Sequence, residues 1–199
     1  MTKSNNKTQT TAWNSYYKQG PVPWQSVGLS KIVKKYLATY AVGKSLLEIG
    51  CGNGKDAQAF LKAGLRYTGV DVSKEAVKSA QQYNPKYTKA FLSGDFLTWR
   101  TPKKFSVVYD KGVFHNLAGP NRRSDFARRV ASILAHGGIW ITICGSADNF
   151  DPRIPHGAIF LQHVIEPVEF YFEVLEVIKA PYGSRGGNFD AWYCVFRRR

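Results

Sequence analysis

Negative charge is what this chain has least of. Its 199 residues carry 14 Asp and Glu against 28 Lys and Arg, a formal net charge of +14. No acidic residue occurs before Glu48, although seven lysines do. Cysteine is scarce as well: Cys51, Cys144 and Cys194 are odd in number and far apart. That pattern fits reduced thiols in a cytoplasmic protein better than a disulfide framework or a zinc site, which would want Cys-x-x-Cys pairs. No metal is expected. No apolar run approaches the ~18–20 residues that cross a bilayer, so no membrane role is expected. Met1 to Thr10 lacks the apolar core of a secretory signal.

A hydrophobic content of 44% with 14% aromatics is that of a folded chain, and the length suits one domain with a substantial core. The basic excess has two readings. It raises affinity for polyanions through counterion release, or it is simply a solvated surface. Arg122-Arg123, Arg128-Arg129 and Arg197-Arg198-Arg199 belong to no nucleic-acid-binding motif, which leaves a nucleic-acid partner open but not favoured. The sequence does not specify an oligomeric state.

The densest signal is Leu46-Leu-Glu-Ile-Gly-Cys-Gly-Asn-Gly54, an apolar run closed by an acid and three alternating glycines. A buried strand ending in glycines and opening into a helix brings backbone amides against a cofactor. A dinucleotide fingerprint would have its third glycine at position 55, where Lys55 stands. Glu48-x-Gly50-x-Gly52-x-Gly54 is instead the spacing typical of the α/β class of S-adenosylmethionine-dependent methyltransferases. The chain resembles that superfamily.

Hydrophobic periodicity gives alternating elements. Residues 1–11 read as a disordered tail and 12–199 as a single domain, within which 12–43 form an N-terminal lid and helices. A short helix is expected at 13–19, then the turn Gly20-Pro-Val-Pro-Trp24 and a helix from Val27 to Tyr40. Strands are expected at 45–49, 66–71, near 88–92, at 105–110 and at 139–144. Helices intervene at 55–63, from the capping Ser73 to Tyr83, and at 121–136 with a stop at Gly137-Gly138. Residues 152–167 are broken by proline and glycine, with room for one helical turn. Two closing strands, 172–182 and 191–198, flank the loop Gly183-Ser-Arg-Gly-Gly-Asn188. Five strands alternating with helices imply an α/β fold with a parallel sheet and right-handed crossovers; two consecutive strands imply a hairpin at one edge. The resemblance implies the seven-stranded, mostly parallel, Rossmann-like methyltransferase sheet, with helices on both faces and an antiparallel C-terminal hairpin.

Three further motifs lie at strand ends. Asp71, in Val70-Asp71-Val72, is 17 residues beyond Gly54, near the ~20 expected of an acid that accepts both ribose hydroxyls; alone it would read as a helix cap. Ser93-Gly94-Asp95-Phe96 is a turn signal by itself. The resemblance makes Asp95 and Phe96 adenine contacts. Val108-Tyr-Asp-Lys-Gly-Val-Phe-His-Asn116 ends the fourth strand at the crevice where open α/β sheets bind ligands. It contains neither the Asn- or Asp-Pro-Pro-aromatic motif of base amino-methylating enzymes nor the Pro-Cys pair of cytosine-C5 enzymes. It is similar to small-molecule methyltransferases, in which this segment reaches toward the acceptor. His115 there is either a general base or a loop-orienting group.

Trp13-x3-Tyr17-x2-Gly20-x2-Pro23-Trp24 resembles the N-terminal pattern of thiopurine and thiol/halide methyltransferases, whose N-terminal segment folds over the cofactor. The bland alternative is aromatic packing. The resemblance thus implies an enzyme that uses S-adenosyl-L-methionine to methylate a small molecule, a thiol or other soft nucleophile, by in-line displacement. Gly50, Gly52 and Gly54 would let the backbone approach the cofactor, and Glu48 would bind its ammonium. Asp71 with Val72 would hold the ribose, Asp95 and Phe96 the adenine, and Trp24 would cover them. Asp110 would face the reacting methyl, with His115 nearby, and the loop at Arg185 would help define the acceptor. The competing readings are an RNA or protein methyltransferase and a non-catalytic cofactor-binding scaffold.

Overall fold

The computed structural model describes residues 3–25, 28–41, 43–148, 157–184 and 187–199. The elements run α1 (Lys3–Lys18), α2 (Lys31–Tyr40), β1 (Ser45–Ile49), α3 (Ala57–Lys62), β2 (Arg66–Asp71), α4 (Lys74–Tyr83), β3 (Phe91–Ser93), β4 (Phe105–Lys111), α5 (Gly119–Ile133), β5 (Leu134–Gly145), α6 (Leu161–Ile165), β6 (Phe172–Ser184) and β7 (Gly187–Arg198). Short 3-10 turns precede β3 and follow β4.

The strands form one seven-stranded sheet in the order β3-β2-β1-β4-β5-β7-β6. β1 to β5 pair in parallel, whereas β7 lies antiparallel between β5 and β6. This is the seven-stranded, mostly parallel order with an antiparallel C-terminal hairpin that the resemblance implies. Because side chains alternate along each strand, the sheet buries two apolar layers. On one face Leu46, Tyr67, Tyr109 and Ile141 pack with α2, α3 and α4 through residues such as Val33, Phe60 and Val77. On the other, Leu47, Val108, Trp140 and Phe196 pack with α5 and α6 through Phe126, Val130 and Val164.

Local signals set the helix starts. Ser30 caps α2 by accepting from the Val33 amide at 3.2 Å, and Ser73 caps α4 by accepting from Ala76 at 3.1 Å. Val27, the expected start of α2, lies outside the described residues. The strand expected near 88–92 is instead a 3-10 turn over Pro85–Ala90 followed by β3, and β6 and β7 extend to Ser184 and from Gly187, into the expected loop at 183–188. Two further segments differ from the sequence reading. In place of a short helix behind a disordered tail at 1–11, α1 runs from Lys3 to Lys18, since no glycine or proline interrupts the chain before Gly20-Pro21. Helix α5 ends at Ile133 rather than near 136. Leu134 turns extended and pairs with Phe105, and β5 advances from Leu134 to Ile139 while β4 advances only from Phe105 to Val107. Gly137 and Gly138 therefore form a bulge at the start of β5, not the helix stop.

Among the described residues, no helix is long and apolar enough to cross a membrane, and no group of three or more His, Cys, Asp or Glu could hold a metal ion.

Candidate active site

The strand order reverses between β1 and β4, and the crevice that opens outside their carboxyl ends is a cleft of about 200 Å³. It is lined by the glycine loop, the ends of β2 and β4, the segment after β3, and residues of α1 and the turn that follows it.

The loop after β1 is shaped by one carboxylate. Asp71 Oδ2 accepts the Gly52 N–H at 2.8 Å and Oδ1 accepts the Ser73 N–H at 2.8 Å, which ties the loop to the end of β2. Burial nevertheless pushes the Asp71 pKa up to about 6 against those two bonds. Gly50 has φ +72°, and a Cβ there would meet Val113 Cγ2 at 2.2 Å. Gly54 has a different job from the one expected. It does not line the cleft; a Cβ at Gly54 would meet the Asn84 amide at 2.8 Å and Ala80 Cβ at 2.9 Å, so it serves the packing of the loop on α4.

A charged floor lies beneath the loop. Glu48 Oε2 accepts from the Tyr67 hydroxyl at 2.5 Å. Burial, with the Asp56 charge, raises the Glu48 pKa to about 8 despite the Tyr67 bond and Lys111. Lys111 Nζ pairs with Asp56 Oδ2 and stands 5.8 Å from the centre of the Tyr182 ring. Burial, the largest single influence, would lower the Lys111 pKa, but Asp56, Tyr182 and Glu48 together outweigh it and the net shift is upward. Asp56 Oδ1 and the Tyr109 hydroxyl are buried without a hydrogen-bond partner among the described residues. Glu48, Asp56, Lys111 and Tyr182 all reach the cleft.

At the β3 side, Val72, Asp95 and Phe96 line the cleft. Asp95 Oδ1 accepts from the Leu97 amide at 3.0 Å, while the Phe96 ring packs against Phe126 at 5.0 Å between centroids. At the β4 side the sequence reading is corrected. Asp110 does not line the cleft: it is fully buried, accepting from Trp140 Nε1 at 2.8 Å and the Phe114 amide at 3.1 Å. Strand alternation explains this, since Asp110 shares the face of Val108 and sends Lys111 to the face of Tyr109 and the cleft. His115 does line the cleft, and its Nδ1 accepts the Gly145 N–H at 2.8 Å. That bond places the proton of the neutral ring on Nε2.

The acid-free N-terminal segment supplies a roof. Trp24 lines the cleft and donates from Nε1 to the Tyr17 hydroxyl at 3.3 Å. Trp13 stands edge-on to Trp24 at 5.4 Å. A Cβ on Gly52 would lie 2.7 Å from the Tyr17 hydroxyl, so Tyr17 sits directly over the loop. Asn14 Oδ1 accepts from the Ser73 hydroxyl at 2.8 Å, fastening α1 to the start of α4.

Of the residues singled out by sequence, Trp24, Glu48, Gly50, Gly52 and Asp71 therefore meet around one cleft, together with Val72, Asp95, Phe96 and His115. Gly54 and Asp110 stand outside it, and Arg185 lies outside the described residues. Tyr17, part of the N-terminal pattern, also lines the cleft, whereas sequence reasoning assigned no role there to Asp56, Lys111 or Tyr182. The period-two alternation of β4 was the available signal for Lys111.

This geometry agrees with what the chain is similar to. Residues 47–140 match the family described as a methyltransferase domain. The chain's glycine run resembles that of the S-adenosylmethionine-dependent class. A protein described as probable thiol methyltransferase 2 from Arabidopsis thaliana is 27% identical over 173 residues, spanning 83% of this chain and 75% of that protein. Thiocyanate methyltransferase 1 of Brassica oleracea is 24% identical, spanning 85% and 77%. Among solved structures, N-methyltransferase NodS from Bradyrhizobium japonicum WM9 in complex with S-adenosyl-L-homocysteine superposes with a TM-score of 0.71 at 18% identity, covering 98% of each chain. This last likeness is one of fold.

Proposed function

We propose that the methyltransferase domain transfers the methyl group of S-adenosylmethionine to a small soft nucleophile, a thiol or comparable sulfur anion, in a cytoplasmic setting. The observation that carries the cofactor side is the buried, unpartnered Asp56 Oδ1 beside the Lys111 ammonium. An α-amino acid end bears one positive and one negative group, and this pair offers one of each. Asp56 Oδ1 and Glu48 would hold the ammonium, and Lys111 the carboxylate. Both oxygens of Asp71 retain lone pairs for ribose hydroxyls after accepting from Gly52 and Ser73. Asp95 and Phe96 form the adenine end. When bound, the cofactor supplies a methyl group on a sulfonium already activated for in-line displacement.

The chain's own contribution is therefore to orient the reactants and exclude water. Tyr17 and Trp24 close the site from above. His115 is poorly placed as a general base. The nitrogen with the free lone pair, Nδ1, already accepts from Gly145, and taking up a proton there would break that bond. Asp110 is sealed beneath Trp140. The acceptor must consequently arrive ionised, which suits thiols and sulfur anions. The relatives named for thiol and thiocyanate support that class, and three buried cysteines outside any disulfide support the cytoplasmic setting.

An S-adenosylhomocysteine release assay across thiols, thiocyanate, phenols, amines and bulk RNA tests the reading. Turnover confined to thiols and sulfur anions supports it. Turnover confined to phenols, amines or RNA overturns the acceptor class, and failure of S-adenosylmethionine to bind in calorimetry overturns the cofactor side.

A further inference from the structure

The roof over the cleft is aromatic, where aliphatic side chains would serve to exclude water. Trp24 is packed edge-on by Tyr16 at 5.1 Å and by Trp13 at 5.4 Å, and its Nε1 donates to the Tyr17 hydroxyl at 3.3 Å. Four rings from α1 and the turn after it thus hold one another in place, and Trp13, Tyr17 and Trp24 line the cleft. Acids lie beneath them. Burial and then the Asp71 carboxylate push the Tyr17 pKa well above the ordinary tyrosine range, and Cys51 and Glu48 add to the rise against the bond from Trp24. The Tyr17 hydroxyl therefore stands over Gly52 in a setting that favours positive charge.

The inference rests on the reading given above, in which Asp71 takes the ribose and Glu48, Asp56 and Lys111 take the amino-acid end. The cofactor's sulfur joins those two parts covalently, so it falls in the stretch of cleft between those residues, where Tyr17 covers the loop at Gly52. Before transfer that sulfur is a sulfonium, a diffuse cation. When the methyl group leaves, the sulfur keeps the electron pair of the broken bond and becomes a neutral thioether. Aromatic ring faces carry negative potential and attract a desolvated cation, an attraction the thioether lacks. We propose that Tyr17 and Trp24 sense the charge on the cofactor sulfur, holding S-adenosylmethionine and loosening their hold on S-adenosylhomocysteine once the methyl group has gone. An apolar lid would cover both forms alike.

The test is titration calorimetry of the full chain with each of the two compounds, which reads binding and not turnover. Tyr17→Leu and Trp24→Leu should each weaken S-adenosylmethionine binding about five- to thirtyfold, the range for a cation–π contact shielded from water, while changing S-adenosylhomocysteine binding less than about twofold. Retained S-adenosylhomocysteine binding shows at the same time that the variants fold. Trp24→Phe keeps a ring with a weaker face, so it should lose less than Trp24→Leu, and it supplies the comparison if the leucine variant does not fold. The proposal is overturned if S-adenosylhomocysteine loses as much affinity as S-adenosylmethionine in the variants, or if neither loses any. Wild-type protein that binds neither compound would instead overturn the cofactor reading itself, and this inference with it.

Discussion

The Asp71 carboxylate holds the Gly52 amide at 2.8 Å, so the residue at the end of β2 shapes the loop at the end of β1. Its second oxygen does the same for Ser73. A group read from sequence as a ribose ligand is thus first a structural clamp. Asp71→Ala should lower cofactor affinity by about 1–3 kcal/mol, the range for a lost charge-assisted hydrogen bond, and should also lower the melting temperature of the apo protein. Calorimetry and thermal melting check the two effects. A variant that loses affinity with an unchanged melting temperature would show that the clamp adds nothing to stability.

Glu48 yields a pH prediction with a definite sign. Its pKa is raised from 4.5 to about 8, chiefly by burial, so the folded protein holds a proton that the unfolded chain releases. The stability this contributes is complete below pH 4.5 and is lost as pH rises toward 8. Apo-protein melting temperature should fall across that window, and Glu48→Gln should flatten the fall. If the carboxylate receives the cofactor's ammonium, binding near pH 7 should release a proton. Calorimetry in buffers of different ionisation enthalpy would detect it, and no release would remove Glu48 from the ammonium site.

The Asp56–Lys111 pair separates folding from binding. Lys111→Met alone strands a buried carboxylate and should cost about 3–5 kcal/mol of stability. Adding Asp56→Leu should recover most of that loss, because an apolar pair avoids the desolvation cost. Cofactor affinity should stay low in the double variant. Chemical denaturation and calorimetry on the single and double variants would decide it.

For His115 the prediction concerns the pH–rate profile. If the acceptor arrives ionised, kcat/KM should rise through the pKa of each thiol tested, so the limb moves with the acceptor. A limb fixed at one pH for every acceptor would restore a base within the protein.

Glycine substitutions should divide the loop. Gly54→Ala meets Asn84 and Ala80 at φ +69° and should lower the melting temperature. Gly52→Ala, facing the Tyr17 hydroxyl in the cleft, should cost cofactor affinity instead. Equal losses of affinity in both variants would return Gly54 to the cofactor side.

Much of this arrangement was legible because it repeats local rules. Glycines at alternating positions, Ser73 as a cap, and acids at strand ends are set by backbone geometry within a few residues. The closing hairpin followed from two strands without a helix between them, and the resemblance implied its antiparallel place in the sheet. What was not legible depends on which way a side chain points after the strands assemble. Asp110 looked like the reactive end of β4, yet it is Lys111 that reaches the cleft, and the one-residue difference is a whole face of the sheet. Asp56 gave no signal because its partner lies 55 positions away. The helical character of 3–11 was hidden by polar residues, for polarity marks solvent exposure and not disorder.

The Asn14 contact to Ser73 gives the roof a thermodynamic tie to the floor. Ser73 is at once the cap of α4, the neighbour whose amide binds Asp71, and the anchor of α1. Swinging α1 aside removes an acceptor from the hydroxyl that holds the first turn of α4, next to the carboxylate assigned to the ribose. Because one hydroxyl donates to Asn14 and accepts from Ala76, opening of α1 should loosen that turn, which hydrogen exchange at the Ala76 amide would measure. Stiffening the start of α4 should slow the exit of S-adenosylhomocysteine even though no residue that touches it has changed.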